Sequence, residues 1–422
     1  MSPETGYHEL STDFPALHCF ERELHEQTGL CIAGHPWLKP IRFEGQEQEA
    51  MNRYPFHTIE GKEVHEVAVG PIHAGVIEPG SFRFMCQGEK VHHLEIHHGY
   101  QHRGVERRLL EGDPLSLTPL VETIAGDTSI GHAWAYCAAL EALAGCELDV
   151  ETDVARAVAL ELERVAMHLA TLSGMAADIG FLQGATTYGR LRTTVINTTM
   201  RLCGSRFGRG ALRPGRVGMR MSPEALEGIR ASIGDLREDL SIIDDCFLSA
   251  KTVQHRLSGV GVLTPARASE LGMVGVAGRA SGIAVDARHR AAAGAYAALA
   301  IEPRIFTEGD CLARARVRIA EIEASLVWIS EALRMYPGPS GAAKAVDSLA
   351  PRALSIALVE GFRGEIVHCL ETDDEGRLTH YKVQDPSLRN WMGLAIAVRD
   401  NDISDFPICN KSFDLSYCGN DL

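Results

Sequence analysis

Two stretches of regular apolar spacing constrain this chain most. Between Asp153 and Leu172, the residues Val158, Leu162, Val165, Leu169 and Leu172 recur at steps of four and three. That spacing lays one apolar stripe along a helix. Ile319, Ile322, Leu326, Ile329 and Leu333 repeat the device, with Arg314, Arg318, Glu321 and Glu323 among them. Long helices that each need an apolar cover predict a helix bundle. The flanks read differently. His65–Ile96 is short-patterned and punctuated by Gly70-Pro71 and Pro79-Gly80, and residues 360–383 alternate around an acidic turn at Asp373–Gly376. Both patterns predict strands joined by turns. The expected class is α+β, mainly α, with a long-helix bundle and small N- and C-terminal β regions. Residues 1–60 read as an irregular N-terminal cap, with a hydrophilic linker at Glu44–Arg53, and residues 61–422 as the main domain.

Charge and composition then exclude several functions. The net charge of −15 argues against nucleic acid, because phosphate binding needs a basic footprint. No apolar run approaches the roughly 18 residues of a membrane span. The polar, acidic opening MSPETGYHELSTDF predicts neither a signal nor a transit peptide, hence a protein in the cytoplasm or docked on its side of a membrane. None of the eleven cysteines stands in a C-x-x-C pair, so small buried thiols are expected rather than a cluster.

Two local patterns could carry chemistry. His92, His93, His97, His98 and His102 crowd into eleven residues, with His98 and His102 spaced to share a helix face. They read as metal ligands or as a hydrogen-bonding turn before a helix. Arg103-Gly104-Val105-Glu106 places a carboxylate in the first turns of that helix. Glu106 would move protons if burial raises its pKa, or simply complement the helix dipole.

The segments GPIHAGVIEPGSFRF, HHGYQHRGVER, ELERVAMHLATLSGMAADIGF, RFGRGALRPGRVGMR and VGVAGRASGIAVDAR, and later GDCLARARVRIAEIEASL, resemble a shared set of signature blocks in the same order. They are similar to blocks of the large subunits of energy-converting (group 4) nickel–iron hydrogenases and of the 49-kilodalton subunit of complex I, the NADH-quinone oxidoreductase. The likeness covers about residues 64–422. Gly29–Phe43 faintly resembles the tail of the 30-kilodalton-like companion subunit, so residues 1–60 could be its remnant.

The resemblance implies a cavity at an interface with a small iron–sulfur subunit. In the hydrogenases two C-x-x-C pairs hold nickel and iron there. Anchored on His132 and Tyr136, the first pair falls on Ala125 and Thr128 here; the second falls on Ser416 and Gly419, after Asp414, with Cys418 one residue early. No metal ligand set is therefore expected. Complex I holds a quinone headgroup between a His and a Tyr. His73 keeps the first histidine of that turn, but the quinone-contacting histidine falls near Pro79 and the tyrosine near Leu120 or Leu117. The retained residues are Arg103, Glu106, His168 and Asp178 as proton carriers, and His73, Thr128, His132, Asp414 and Ser416 as cavity wall. His168 and Asp178 would meet if the helix ended at Ser173-Gly174, or would merely stabilise a helix end. The tail, with Asp405, Lys411 and Asp414, would line the cavity, or fray into solvent.

The implied function is the large subunit of a membrane-associated, complex I-like oxidoreductase that couples electron transfer to proton movement. No cofactor is expected in this chain, an iron–sulfur cluster in the partner, and a quinone or another small molecule as acceptor. The implied partners are a 20-kilodalton-like iron–sulfur subunit, a 30-kilodalton-like companion and antiporter-like membrane subunits, with peripheral placement on the cytoplasmic face of the plasma membrane. The competing readings are a non-catalytic structural subunit and, distantly, a metal hydrolase built on the histidines.

Overall fold

The computed structural model describes residues 6–46, 48–75, 77–336, 344 and 346–422. The first residues of the acidic opening and part of the predicted linker lie outside them. The N-terminal region is not irregular throughout: His18–Thr28 forms helix α1, closed by Gly29 in the left-handed region at φ 70°. Strands β1 (Val64–Val69), β2 (Ser81–Gln87) and β3 (Lys90–His97) form an antiparallel sheet in that order. Phe82, Phe84 and Cys86 share the period-2 face that joins the core.

Helix α2 (Val105–Leu110) opens only after Gly99 and Gly104, at φ 99° and 62°. These left-handed residues keep His98–Arg103 out of the helix. His98 and His102 therefore do not share a helix face, contrary to the spacing argument. Helices α3 (Ser129–Leu143), α4 (Val150–Asp178), α5 (Leu182–Cys203), α6 (Pro223–Ser249) and α7 (Cys311–Met335) supply the bundle. The Asp149 side chain caps α4 by accepting Thr152 N–H, and Asp310 caps α7 by accepting Ala313 N–H. At 29 residues α4 is about 43 Å long, and it packs against α3, α5 and α7.

The expected break at Ser173-Gly174 does not occur; α4 runs on to Asp178. Gly174 has a different reason. A Cβ there would stand 2.2 Å from Cε of Lys411, so the glycine leaves room for the end of that side chain to lie over α4. Strands β4 (Leu354–Gly361), β5 (Gly364–Thr372) and β6 (Leu378–Gln384) form the second antiparallel sheet, with β5 central. Helices α8 (Pro386–Ala397), α9 (Phe406–Phe413) and α10 (Tyr417–Asp421) close the chain. Tyr417, Asn420, Asp421 and Leu422 are buried, so the frayed tail is excluded. The architecture is α+β and mainly helical. Among the described residues no helix is long and apolar enough to cross a membrane.

Candidate functional site

A cleft of about 520 Å³ opens where the β1–β2 turn, the end of α4 and the C-terminal helices meet. His73, Asp178, Lys411, Asp414 and Tyr417 line it. Their placement follows from close packing. At Gly70, φ is 88°, and His73 Nε2 reaches back across the turn to donate to Gly80 O at 2.8 Å. Asp414 sits in the left-handed region just past α9, where Thr171 Oγ1 of α4 donates to it at 2.5 Å and Lys411 Nζ at 3.1 Å.

These contacts push the two cleft carboxyls apart. Burial works to raise Asp414, but Lys411, Arg363 and Arg318 hold it far below the usual carboxylate range. Asp178 is raised by burial, against the pull of the same Lys411. Asp414 is therefore held ionised, while burial lifts Asp178 above the ordinary aspartate value.

His168 and Asp178 do not form a pair. They stand ten residues apart on one continuous helix, about 15 Å along its axis. His168 instead donates from Nε2 to Glu321 at 2.9 Å and accepts from Arg318 at Nδ1, at 3.2 Å. Burial lowers it to about 4, with Glu321 opposing, so the imidazole is neutral. Arg318 also donates to the carbonyls of Ser412 and Phe413, tying α9 to α7.

Glu106 and Arg103 do not line the cleft. Glu106 accepts the Val383 N–H at 2.8 Å and pairs with Lys382 at 3.0 Å. Burial would raise it, but Lys382 and Arg42 prevail and hold it low. Arg103 does not pair with it; its guanidinium donates to the carbonyls of Thr123 and Ile124. The histidine cluster disperses too. His97 stacks on Tyr54, His98 lies against Trp391, and His102 Nδ1 meets Asp421 O at 2.8 Å. Among the described residues no three His, Cys, Asp or Glu side chains converge as a metal-binding group.

Comparison with known proteins fits this geometry. The family described as "Respiratory-chain NADH dehydrogenase, 49 Kd subunit" matches residues 178–353. The carbon monoxide-induced hydrogenase of Rhodospirillum rubrum is 28% identical, over 83% of this chain and 97% of its own length. The alpha subunit of the membrane-bound hydrogenase of Pyrococcus furiosus is 29% identical, over 83% of this chain and 85% of its own. An NADH-quinone oxidoreductase subunit of Bacteroides thetaiotaomicron is 28% identical, over 84% and 74%. A solved chain of the membrane-bound sulfane sulfur reductase, an archaeal respiratory membrane complex, superposes with a TM-score of 0.79. It is 25% identical, over 86% of this chain and 99% of that one.

The chain is a homologue of the hydrogenase large subunits and the complex I 49-kilodalton subunit.

The four positions that match the hydrogenase thiolates carry Ala125, Thr128, Ser416 and Gly419 here. Ala125 is buried and has no donor atom. Thr128 Oγ1 lies between Asp127 at 3.2 Å and Arg363 at 3.3 Å, while Arg363 grips Asp127 with both ends of its guanidinium, each at 2.7 Å. Ser416 caps α10 by accepting Gly419 N–H at 2.9 Å. The neighbouring thiol, Cys418, is pushed up to about 12 by burial and Glu78, and so stays protonated. Soft thiolate ligation of nickel and iron does not fit this set. Nor do the complex I quinone contacts: Pro79 has no donor, and Leu117 and Leu120 pack on the apolar cluster around Val105 and Val121.

Sequence reasoning named His132 but missed its partners. It does not line the cleft; it bridges His368 and Asp385, each at 3.1 Å, partners 236 and 253 positions away. Glu163 is buried beneath the start of α3, accepting Ile130 and Gly131 N–H at 2.7 and 3.1 Å, and burial pushes it up to about 8. Its signal was present in the sequence, a carboxylate on the Val158–Leu172 helix beside Arg164, but nothing local marked it as buried.

Proposed function

We propose that this chain is the large subunit of a membrane-associated, complex I-like and hydrogenase-related oxidoreductase. It takes electrons from an iron–sulfur partner subunit and couples their transfer to proton movement at a cavity without a nickel–iron centre. The observation that supports the reading is the cleft itself: Asp178, Lys411 and Asp414 line it, Lys411 pairs with Asp414, and the positions matched to hydrogenase thiolates carry no thiolate. The acceptor is a quinone or, as the sulfane sulfur reductase relative suggests, a sulfur compound. The partners are a 20-kilodalton-like iron–sulfur subunit, a 30-kilodalton-like companion and antiporter-like membrane subunits, with the complex on the cytoplasmic face of the membrane.

The second reading, a non-catalytic structural subunit, is favoured by one observation, the loss of the quinone-holding pair at Pro79 and Leu120. Purification of the tagged chain from membranes of its source, with subunits identified by mass spectrometry, tests the assembly. Viologen-driven reduction of a short-chain ubiquinone and of an organic polysulfide then tests the chemistry. Reduction of either by the purified complex, lost in Asp178→Asn, supports the catalytic reading. An assembled complex whose Asp178→Asn variant reduces both at the parent rate supports the structural one.

A further inference from the structure

The strongest feature outside the cleft's own side chains is a file of four buried polar groups on α3, β5, β6 and the start of α8. Tyr381 Oη stands 2.6 Å from His368 Nδ1, His368 Nε2 3.1 Å from His132 Nδ1, and His132 Nε2 3.1 Å from Asp385 Oδ2. All four are buried. We infer that Tyr381, His368, His132 and Asp385 act as one proton-carrying unit, which takes up one proton and holds it on His132 against Asp385, beneath the turn that carries Gly419. The inference rests on the proposed redox role and names the residues that would supply its protons.

The partners of Asp385 set the direction of the file. Asp385 also accepts the Ser387 N–H at 2.8 Å and lies in the field of Arg363. Burial would raise it, yet His132 and Arg363 keep it below the usual range, so it is an acceptor only. A singly protonated His132 then carries its proton on Nε2 and presents a bare Nδ1. His368 must donate from Nε2, which leaves its own Nδ1 to accept the tyrosine hydroxyl. Every proton in the file points toward Asp385.

Uptake of one proton balances without ionising the tyrosine. The Tyr381 hydroxyl proton passes to His368 Nδ1 as the incoming proton binds the phenolic oxygen. The His368 Nε2 proton passes to His132 Nδ1. The net result is one added proton, held as a His132 imidazolium beside the Asp385 carboxylate. Burial and the neighbouring His132 keep His368 well below the ordinary histidine value, as befits a conduit and not a store. At the entry end, Tyr136, Glu106 and Cys137 act on the Tyr381 hydroxyl, and Glu106 is the ionised member, so its field faces the incoming proton. At the Asp385 end, a Cβ on Gly419 would fall 2.6 Å from Oδ2 of Asp385, so only a glycine lets the backbone of the C-terminal turn lie on the carboxylate.

The test is pH-dependent infrared difference spectroscopy on the purified membrane complex, carrying ring-labelled histidine and tyrosine. The expected parent spectrum shows an imidazolium band growing together with a shifted tyrosine C–O band. Tyr381→Phe, which keeps the ring packing, should remove the tyrosine response and alter the histidine tautomer signal; Asp385→Asn should suppress the imidazolium. With electrons supplied by viologen, Tyr381→Phe should also slow turnover several-fold, with a larger solvent isotope effect. A parent spectrum in which histidine titrates with no tyrosine response overturns the inference, whether or not the complex turns over. Coupled bands in a complex that reduces neither acceptor would instead refute the redox role and leave the relay standing.

Discussion

The carboxylate of Asp385 lies so close beneath Gly419 that a Cβ there would stand 2.6 Å from Cγ and Oδ2. The position at which hydrogenases carry a thiolate has no room for one here. Gly419→Ala should therefore cost about 1–3 kcal/mol through overpacking, read from the denaturation midpoint. Placing cysteine at 125, 128, 416 and 419 together should not recover bound nickel. One equivalent of nickel by elemental analysis in cells grown with the metal would overturn this prediction.

Lys411 holds Asp414 low, and the sign of its effect on stability follows. A carboxylate depressed in the folded state contributes stability above the ordinary carboxylate range, which is lost as pH falls through its folded value. Lys411→Met should lower the melting temperature at pH 7, and the difference from the parent should shrink toward pH 3. A gap that stays constant across that range would show that Lys411 acts by packing against Gly174 and not by charge.

Glu163 works in the opposite sense. Its carboxyl is raised from 4.5 to about 8 by burial, so the folded protein binds that proton more tightly than the unfolded chain. This contribution is fully present below about 4.5 and is lost as pH rises through about 8. Glu163→Gln should remove that component of the decline in thermal stability between pH 5 and 8. A variant whose melting temperature tracks the parent across the range would mean that the two backbone donors at Ile130 and Gly131 keep the carboxylate ionised.

Asp178 and Glu106 should separate in turnover. Asp178→Asn removes the titratable group that lines the cleft and should slow the intact complex on the order of 100-fold. Glu106→Gln retains an oxygen for the Val383 N–H and loses the Lys382 charge pairing, so it should assemble and slow turnover less. Equal losses, with all subunits still co-purifying, would place Glu106 on the same proton route.

The helices and strands were legible because their signals are local. The stripe from Val158 to Leu172 and the alternation in residues 360–383 repeat within one turn or one pleat. The missing thiolates were equally legible, since Ala125 and Gly419 have no donor whatever the fold does. The helix stop at Ser173-Gly174 misled, because glycine serves a helix end and a close helix contact alike, and only the neighbour tells which.

By itself, then, the sequence determined the class of fold, the blocks it shares with the family and the absence of a four-thiolate ligand set. Tertiary structure alone decided the partners: His168 with Glu321 instead of Asp178, Glu106 with Lys382, His132 with Asp385 and His368. The reason is physical. A buried polar group must find whichever complementary group packing brings within about 3 Å, and packing joins residues hundreds of positions apart that no local period records.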